Sequence, residues 1–581
     1  MKDARLVSWR GNQRLAALSM AVAALLVAGP VAAQVHRTEL LSQTAHGFSA
    51  EGRSEAPAVN VDGLAAAYSS TAIDLISPPL QSNLNQMYAR DLTLVTSELV
   101  SKPLVGRAGN HPSQDSGFAP GISGDGRFVV FSSSATNLVS EDTEGRENVF
   151  AYDRQEGVVH LISRGLDGPA NGASNFPKIS GDSRFIVFQS IASNLTDDES
   201  NGLSNIFVFD RLEEVMTRIN APDGAPPNGN SITPNISADG RIVAFASRAT
   251  NLVSQSTTGT VEQIYCTDWQ SQSTELISVS SGGTPGNAIS FLPALNSDGN
   301  QIAFKSEAFN LVNNDTNGVP DVFVRDRTDG ITQRVSVDSF GNQANGLSGG
   351  PGISGDGRFV AFPSFASNLV PDDGNGFSDV YVYDRSPPNR EQGILLRVSV
   401  SMDGGEPNQG VSDFPVTIST DGRWIGFASA ASNLVPNDLN NDLDAFLGCN
   451  PFDAFDCASG TPIPTATPTE TPGMAPCVGD CNGNGTVTVD DLVRMVNIAL
   501  ELAPLCPEDA NFGCLAGDAN CDCSITVDEI VRAVQNALQG CVDFGGCTLG
   551  AHEMLCCEGP PPNTPTITPT PPVTPTATTV P

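Results

Sequence analysis

Apolar residues fall along most of this chain in short dense runs separated by Gly, Asp, Asn and Pro. Residues 353–385, ISGDGRFVAFPSFASNLVPDDGNGFSDVYVYDR, show the pattern most clearly. The runs at 359–362 and 380–383 are β-branched and aromatic, which predicts strands. Successive residues are apolar instead of alternating with polar ones, so each strand is expected to be covered on both faces. Asp356-Gly357 ahead of the first run predicts a tight hairpin turn in which Gly takes a positive φ. The pattern predicts a small antiparallel sheet buried between others of its kind.

The unit repeats. The Asp of the turn recurs at Asp125, Asp182, Asp239, Asp298, Asp356 and Asp421, with spacings of 57, 57, 59, 58 and 65. A seventh, degraded copy lies upstream, with Asp62 at the turn in PAVNVDGLAAAYSSTAIDLI and its continuation in QMYARDLTLVTSELVS. Each full copy contains four predicted strands, as in FPKIS, RFIVFQS, NIFVFDR and MTRIN of residues 176–220. The last copy supplies FPVTIS, RWIGFAS and DAFLG but no fourth strand, and RTELLS at residues 37–42 has the missing strand's character. A ring closes when one terminus completes the blade that the other began. The expected fold is therefore mainly β, a seven-bladed β-propeller over about residues 35–450.

The repeated SxDGRxxxF…DVFVxDR pattern resembles the TolB-like, WD-like β-propeller repeats, over most of the chain. The resemblance implies the fold and leaves the function open, since such propellers host binding modules and enzymes alike. TolB itself has six blades in the family pattern, and this chain has seven.

In each blade the tight Asp-Gly turns go to one end and the long loops to the other, where function is expected. Within those loops a D-x-N-G-x-x-D pattern stands at Asp315, Asn317 and Asp321 and again at Asp373, Asn375 and Asp379. Alternate oxygens suit Ca2+; the same residues also form Asx-turns, bonding their own backbone. The fourth copy, QSTTGTVEQ, lacks the carboxylates.

Signs of catalysis are sparse. Gly346-Leu347-Ser348-Gly349-Gly350 matches the G-x-S-x-G nucleophile elbow, but no helical pattern follows it. Serines recur at the same repeat position as Ser174, Ser231, Ser290 and Ser412. His46, His111 and His160 occupy unrelated repeat positions, which gives a histidine base little support. Carboxylates are many, and no pair stands out as an acid/base site. Cys266 falls inside a predicted strand, as a small core residue.

The N-terminus, with Lys2, Arg5, Arg10 and Arg14 before an apolar stretch ending in Val31-Ala32-Ala33, reads as a secretory signal peptide over residues 1–33. Its removal takes the formal net charge from −35 to −38. So acidic a surface excludes nucleic acid as the expected partner and suits a soluble exported chain and divalent cations. No other stretch is long and apolar enough to span a bilayer.

Composition changes after Cys457. Residues 459–476 form a Pro/Thr-rich linker, and residues 548–581 a Cys-containing segment running into a similar tail. Between them, residues 477–547 hold a duplication, GDCNGNGTVTVDDLVRMVNIAL and GDANCDCSITVDEIVRAVQNAL. Each copy opens with a loop of calcium-binding spacing. Its oxygens come from Asp480, Asn482, Asn484, Thr486, Thr488 and Asp491 in the first, and from Asp518, Asn520, Asp522, Ser524, Thr526 and Glu529 in the second. An amphipathic helix is predicted after each loop, with Leu492, Val496, Ala499 and Leu500 on one face. The loop–helix pair resembles a type I dockerin, which implies two bound Ca2+ ions and a cohesin-like partner. Cys523 replaces the second loop's turn Gly, and Val489-Asp490 and Val527-Asp528 stand where that family commonly carries Ser or Thr. Those departures leave an ordinary cohesin unsupported, and the expected partner is a cohesin-like or other extracellular protein, with polysaccharide as a further candidate. Twelve of the thirteen Cys lie from Cys449 to Cys557, and in an exported chain they predict disulfides stapling a small module.

The expectation is a secreted or cell-surface, non-enzymatic binding and scaffolding protein. Its propeller would recognise a ligand, and a small α-helical, Ca2+-dependent dockerin-like module would dock it to an extracellular protein. The rival reading is a propeller-fold lyase or glycosidase that degrades a polysaccharide and is targeted by its dockerin. Carboxylates or histidines in the central channel would favour the enzyme; a channel mouth lined only by Asn, Gly and Ser would favour binding.

Overall fold

A computed structural model describes residues 38–452 except 114–117, 166, 198–200, 256, 258, 372 and 387–392. The signal segment, both Pro/Thr-rich stretches and the duplicated calcium loops lie outside the described residues.

Seven four-stranded antiparallel sheets follow one another along the chain. Blade one comprises Ser54–Val59, Ala65–Ser70, Gln86–Asp91 and Thr96–Leu99, from the channel outward. Blades two to six repeat the arrangement over residues 121–161, 174–218, 231–276, 290–334 and 352–397. Blade seven takes Thr417–Ile418, Trp424–Ser429 and Asp444–Cys449 from the C-terminal side, and its outermost strand is Thr38–Leu40. Thr38, Glu39 and Leu40 face Gly448, Leu447 and Phe446 in antiparallel register. The RTELLS expectation is met: the N-terminal strand covers the edge that Asp444–Cys449 would otherwise leave open.

Burial explains why successive residues in the middle of the second and third strands are apolar. In blade six Phe359–Ser364 and Asp379–Asp384 are buried throughout, because each sheet is covered by a neighbour on either side. One aromatic pair per blade fills this space. Phe131 faces Phe150 across the strands of blade two with ring centroids 5.8 Å apart, and Phe427 faces Phe446 in blade seven at 5.7 Å. Such pairs add about 0.5–1.5 kcal/mol beyond their buried area.

In blades two, three, four and six the SxDGR signature clamps the turn to the end of the third strand. In blade two Ser123 donates to Asp125 at 2.6 Å, and Asp125 accepts the backbone N–H of Arg127 at 3.0 Å, which shapes the turn. Arg127 then forks onto Asp153, at the end of the third strand, at 2.9 and 2.6 Å. Arg154 reaches back to the carbonyl of Gly126 at 2.8 Å. Blade six repeats the clamp with Arg358 on Asp384 and Arg385 on Gly357. Gly357 holds φ +73°, where a Cβ is unwelcome. The motif therefore serves the fold.

These turns also tie the blades together around the axis. Backbone N–H groups run from Val61 to Gly124, from Gly124 to Gly181 and from Asp182 to Ala238. The chain of bonds continues from Ala238 to Ser297, Ser297 to Gly355, Gly355 to Thr420, and from Asp421 back to Val61. One bond links each neighbouring pair of blades, and the circle of seven is complete.

Candidate functional site

The innermost strands surround a central cavity of about 240 Å3 lined from all seven blades. The ring of backbone bonds cinches one end. At the other end the inner strands are irregular. Ala56, Phe176, Thr233 and Leu292 have φ of 49°, 54°, 50° and 57°, each at a bulge and each directly before a Pro. A residue before Pro normally stays extended, so four blades hold strained backbone at this mouth, a feature that concentrates at functional sites. Phe176 packs edge-on against Phe118, with centroids 4.6 Å apart, and Leu292, Pro351 and Pro415 continue the apolar rim.

Among the lining residues Lys178 is the one that titrates. Its ammonium donates to the carbonyls of Ala119 at 2.7 Å and Pro120 at 3.1 Å, and burial lowers it to about 8. The wall is otherwise apolar or neutral, without Asp, Glu or His among the lining residues. Sequence reasoning missed Lys178, because a Lys in FPKIS looks like any other strand residue until the innermost strand is placed on the axis.

On the outer part of the long-loop end, the two D-x-N-G-x-x-D loops enclose arginines. In blade five Arg334 lies 3.2 Å from Asp315 and 3.4 Å from Asp321. Asp321 also accepts from Ser336 at 2.5 Å and from Asn317 at 2.9 Å. In blade six Arg397 stands 3.9 Å from Asp373, 3.4 Å from Asp379 and 3.5 Å from Glu406. There Ser399 donates to Asp379 and the Tyr381 phenol to Asp373, both at 2.6 Å. Burial raises the Asp321 and Asp379 carboxyls, and their hydrogen-bond and arginine partners oppose that rise. Asn375 and Asn317 also accept the backbone N–H two residues on, as Asx-turns. The Asx-turn reading of both loops therefore holds, and the arginine sits where a cation would.

The G-x-S-x-G serine is a packing residue. Ser348 is fully buried and shares a hydrogen bond with Ser364 at 3.1 Å; Ser174–Ser190, Ser231–Ser247 and Ser290–Ser306 repeat the pair. In blade seven it is Val411, not Ser412, that bridges to Ser429. Spacing from Pro415 misplaced the position by one, since Val411 stands four residues before that Pro. Cys266 is buried in the core as expected, and burial raises its thiol to about 12.

The predicted calcium ligands Asp480, Asn482, Asn484, Thr486, Thr488, Asp491, Asp518, Asn520, Asp522, Ser524, Thr526 and Glu529 lie outside the described residues.

The fold and its channel define a seven-bladed β-propeller closed by its own N-terminal strand. No family model matches the chain, and no curated protein matches it. Among solved structures it is similar to TolB from Agrobacterium tumefaciens, at 19% identity over 49% of this chain and 80% of that one, with a TM-score of 0.31. It is also similar to the β-propeller domain of the Trilobed protease from Pyrococcus furiosus, whose description gives an open velcro topology, at 12% identity over 68% and 95% with a TM-score of 0.41. Pyrococcus horikoshii acylaminoacyl peptidase matches at 11% identity over 68% and 51% with a TM-score of 0.39. The blade count rests on the sheets themselves.

Proposed function

We propose that this chain is an exported binding and scaffolding protein that takes a protein ligand on the long-loop end of its propeller. The observation that carries the reading is where the exposed aromatics lie. Phe309, Phe340, Phe365 and Phe377 of blades five and six, and Phe48 just after the closing strand, are the exposed phenylalanines among the described residues. All five stand in long loops, and Phe340 is 84% exposed. Exposed aromatics gathered on one end suit the anchors of a protein interface. The apolar rim of the channel at the same end suits binding, and its lining carries no carboxylate or histidine of the kind a glycosidase uses, Lys178 being its one titrating group.

The C-terminal duplication, with its two sets of calcium ligands, would dock the propeller to a second extracellular protein in a Ca2+-dependent way. The signal peptide would place the chain outside the cell or on its surface.

Panning a random peptide library on the mature chain, beside a Phe309→Ser, Phe340→Ser, Phe365→Ser variant, tests the first part. Peptides recovered on the native chain alone support it; equal recovery on both, or on neither, overturns it. Calorimetric Ca2+ titration of the full chain beside Asp480→Asn, Asp518→Asn tests the second. Two fewer ions in the variant are expected, and an equal count removes the docking reading.

A further inference from the structure

Blade seven departs from a rule that the other blades keep. At the start of each third strand stands a buried acceptor, and opposite the residue two places on stands a fixed position of the outer strand. In blades one, two and four the acceptor is an amide, Gln86, Asn148 or Gln263, and the outer position is Leu99, Leu161 or Leu276. In blades five and six the acceptor is a carboxylate, Asp321 or Asp379, and the outer position is Arg334 or Arg397. Blade three carries Asn205 with Arg218, and its counterpart of Asp315, Glu199, lies outside the described residues. Within the described residues of blades one to six, buried acid comes with arginine.

Blade seven pairs acid with leucine. Asp444 occupies the acceptor position and receives the Ser42 hydroxyl at 2.6 Å, as Asp321 receives Ser336. Leu40 faces Phe446 where Arg334 faces Phe323 and Arg397 faces Tyr381. A second carboxylate, Asp438, stands where Asp315 and Asp373 stand. Its blade-six counterpart has an arginine and the Tyr381 phenol; Asp438 has neither, since Phe446 replaces the tyrosine.

The two acids are buried, Asp438 at 6% exposure and Asp444 at 0%. Neither oxygen of Asp438 nor Oδ2 of Asp444 makes a well-formed hydrogen bond, although Ser49 and Asn440 lie close enough to lower the two carboxyls in part. Burial is the first cause that raises Asp438 to about 6 and Asp444 to about 7, and for Asp444 the neighbouring charge of Asp438 adds to it. Buried carboxylates without hydrogen bonds or counter-charge are strongly disfavoured. Every other described blade that buries such an acid supplies a cation.

We propose that blade seven binds a Ca2+ ion between Asp438 and Asp444, in the place that a guanidinium fills in blades five and six. Two carboxylates match the charge of the ion, and hard oxygen donors match its preference. Neutral oxygens, among them the nearby hydroxyls of Ser42 and Ser49 and water, complete the shell. The ion ties the closing strand to the rest of the blade, because Ser42 and Ser49 belong to the N-terminal segment and the two acids to the C-terminal end of the ring. Ser49 already accepts the backbone N–H of Leu439 at 3.0 Å, and Asn440 donates to the carbonyl of Ala50 at 2.9 Å. The inference rests on blade seven alone and is independent of the C-terminal calcium loops.

Thermal unfolding of the full mature chain, followed by tryptophan fluorescence in EDTA and in millimolar Ca2+, tests it. After residue 33 the tryptophans are Trp269 and Trp424, both in the propeller, so the signal excludes the C-terminal module. Ca2+ is expected to raise the native transition by several degrees. Leu40→Arg, which rebuilds the blade-five arrangement, is expected to melt at the same temperature with and without Ca2+ and to bind one ion fewer by calorimetry. Should Leu40→Arg not fold, Asp444→Asn recreates the amide–leucine pairing of blade two and is expected to lose the response in the same way. A native chain indifferent to Ca2+, or a response that survives in the folded variant, overturns the proposal and leaves the pair sharing a proton.

Discussion

Ser42 donates its hydroxyl to Asp444 at 2.6 Å across 402 positions of the chain. The contact joins the segment just after the first described strand to the last one, and the closure of the propeller turns on it and the three residue pairs beside it. A chain that begins after Ser42 leaves Asp444–Cys449 as an open sheet edge, a template for pairing with another molecule. Such a truncated chain is expected to unfold at lower temperature and to self-associate, as light scattering at rising concentration will show; a monomer of native stability would contradict it.

The half-buried arginines Arg334 and Arg397 hold their blades by neutralising acids. Arg397→Leu leaves Asp379, Asp373 and Glu406 without their cation. The expected loss is about 3–5 kcal/mol by denaturant unfolding. Adding Asp379→Asn gives blade six the amide–leucine pairing that Asn148 and Leu161 have in blade two, and much of the loss is expected to return. A second substitution that only deepens the loss would show that the arginine acts through packing.

The ring of inter-blade bonds leaves little room at its glycines. A Cβ on Gly355 would stand 2.3 Å from Thr420 Cγ2 and 2.8 Å from the Thr420 carbonyl oxygen, to which Gly355 donates its own N–H. Gly355→Ala is expected to destabilise the propeller by about 1–3 kcal/mol, measured as a lowered urea midpoint with an unchanged slope.

Ser348 sits in a hydrolase-like motif and in a structural pair. Ser348→Ala removes one hydroxyl, while Ser364 keeps the carbonyl of Leu347 at 3.2 Å as acceptor. A loss of about 1 kcal/mol is expected, with no change in the hydrolysis of p-nitrophenyl acetate. A large fall in hydrolysis would reinstate the serine as a nucleophile.

Lys178 gives the channel a pH signature. Its folded value of about 8 lies below the ordinary 10.5, so between these values the unfolded chain binds a proton that the folded chain does not. Native stability is therefore expected to rise relative to Lys178→Met from about pH 8 to about pH 10.5, and to hold constant relative to it below that window. The gain is on the order of 1 kcal/mol per pKa unit at most, reduced because the side chain is only partly shielded from water. A difference that falls across the window would place the ammonium in a charge-stabilising site instead.

The sequence by itself determined the blade count, the four-strand unit and the closing strand. All three rest on local periodicity, on turn chemistry such as Asp356-Gly357, and on a repeat that compares itself with its neighbours. Asp315 and Asp373 could be read from sequence either as ion ligands or as Asx-turns, because the loop alone does not say what faces it. Arg334 and Arg397 lie 13 and 18 residues beyond Asp321 and Asp379, on another strand, and only the antiparallel register carries them into the loop. Leu40 lies farther still, at the opposite end of the chain from Asp438 and Asp444. The tertiary structure decided which acids are neutralised and which are not, because charge balance in a buried site is set by contacts across strands. A one-dimensional pattern records the donors without recording what they meet.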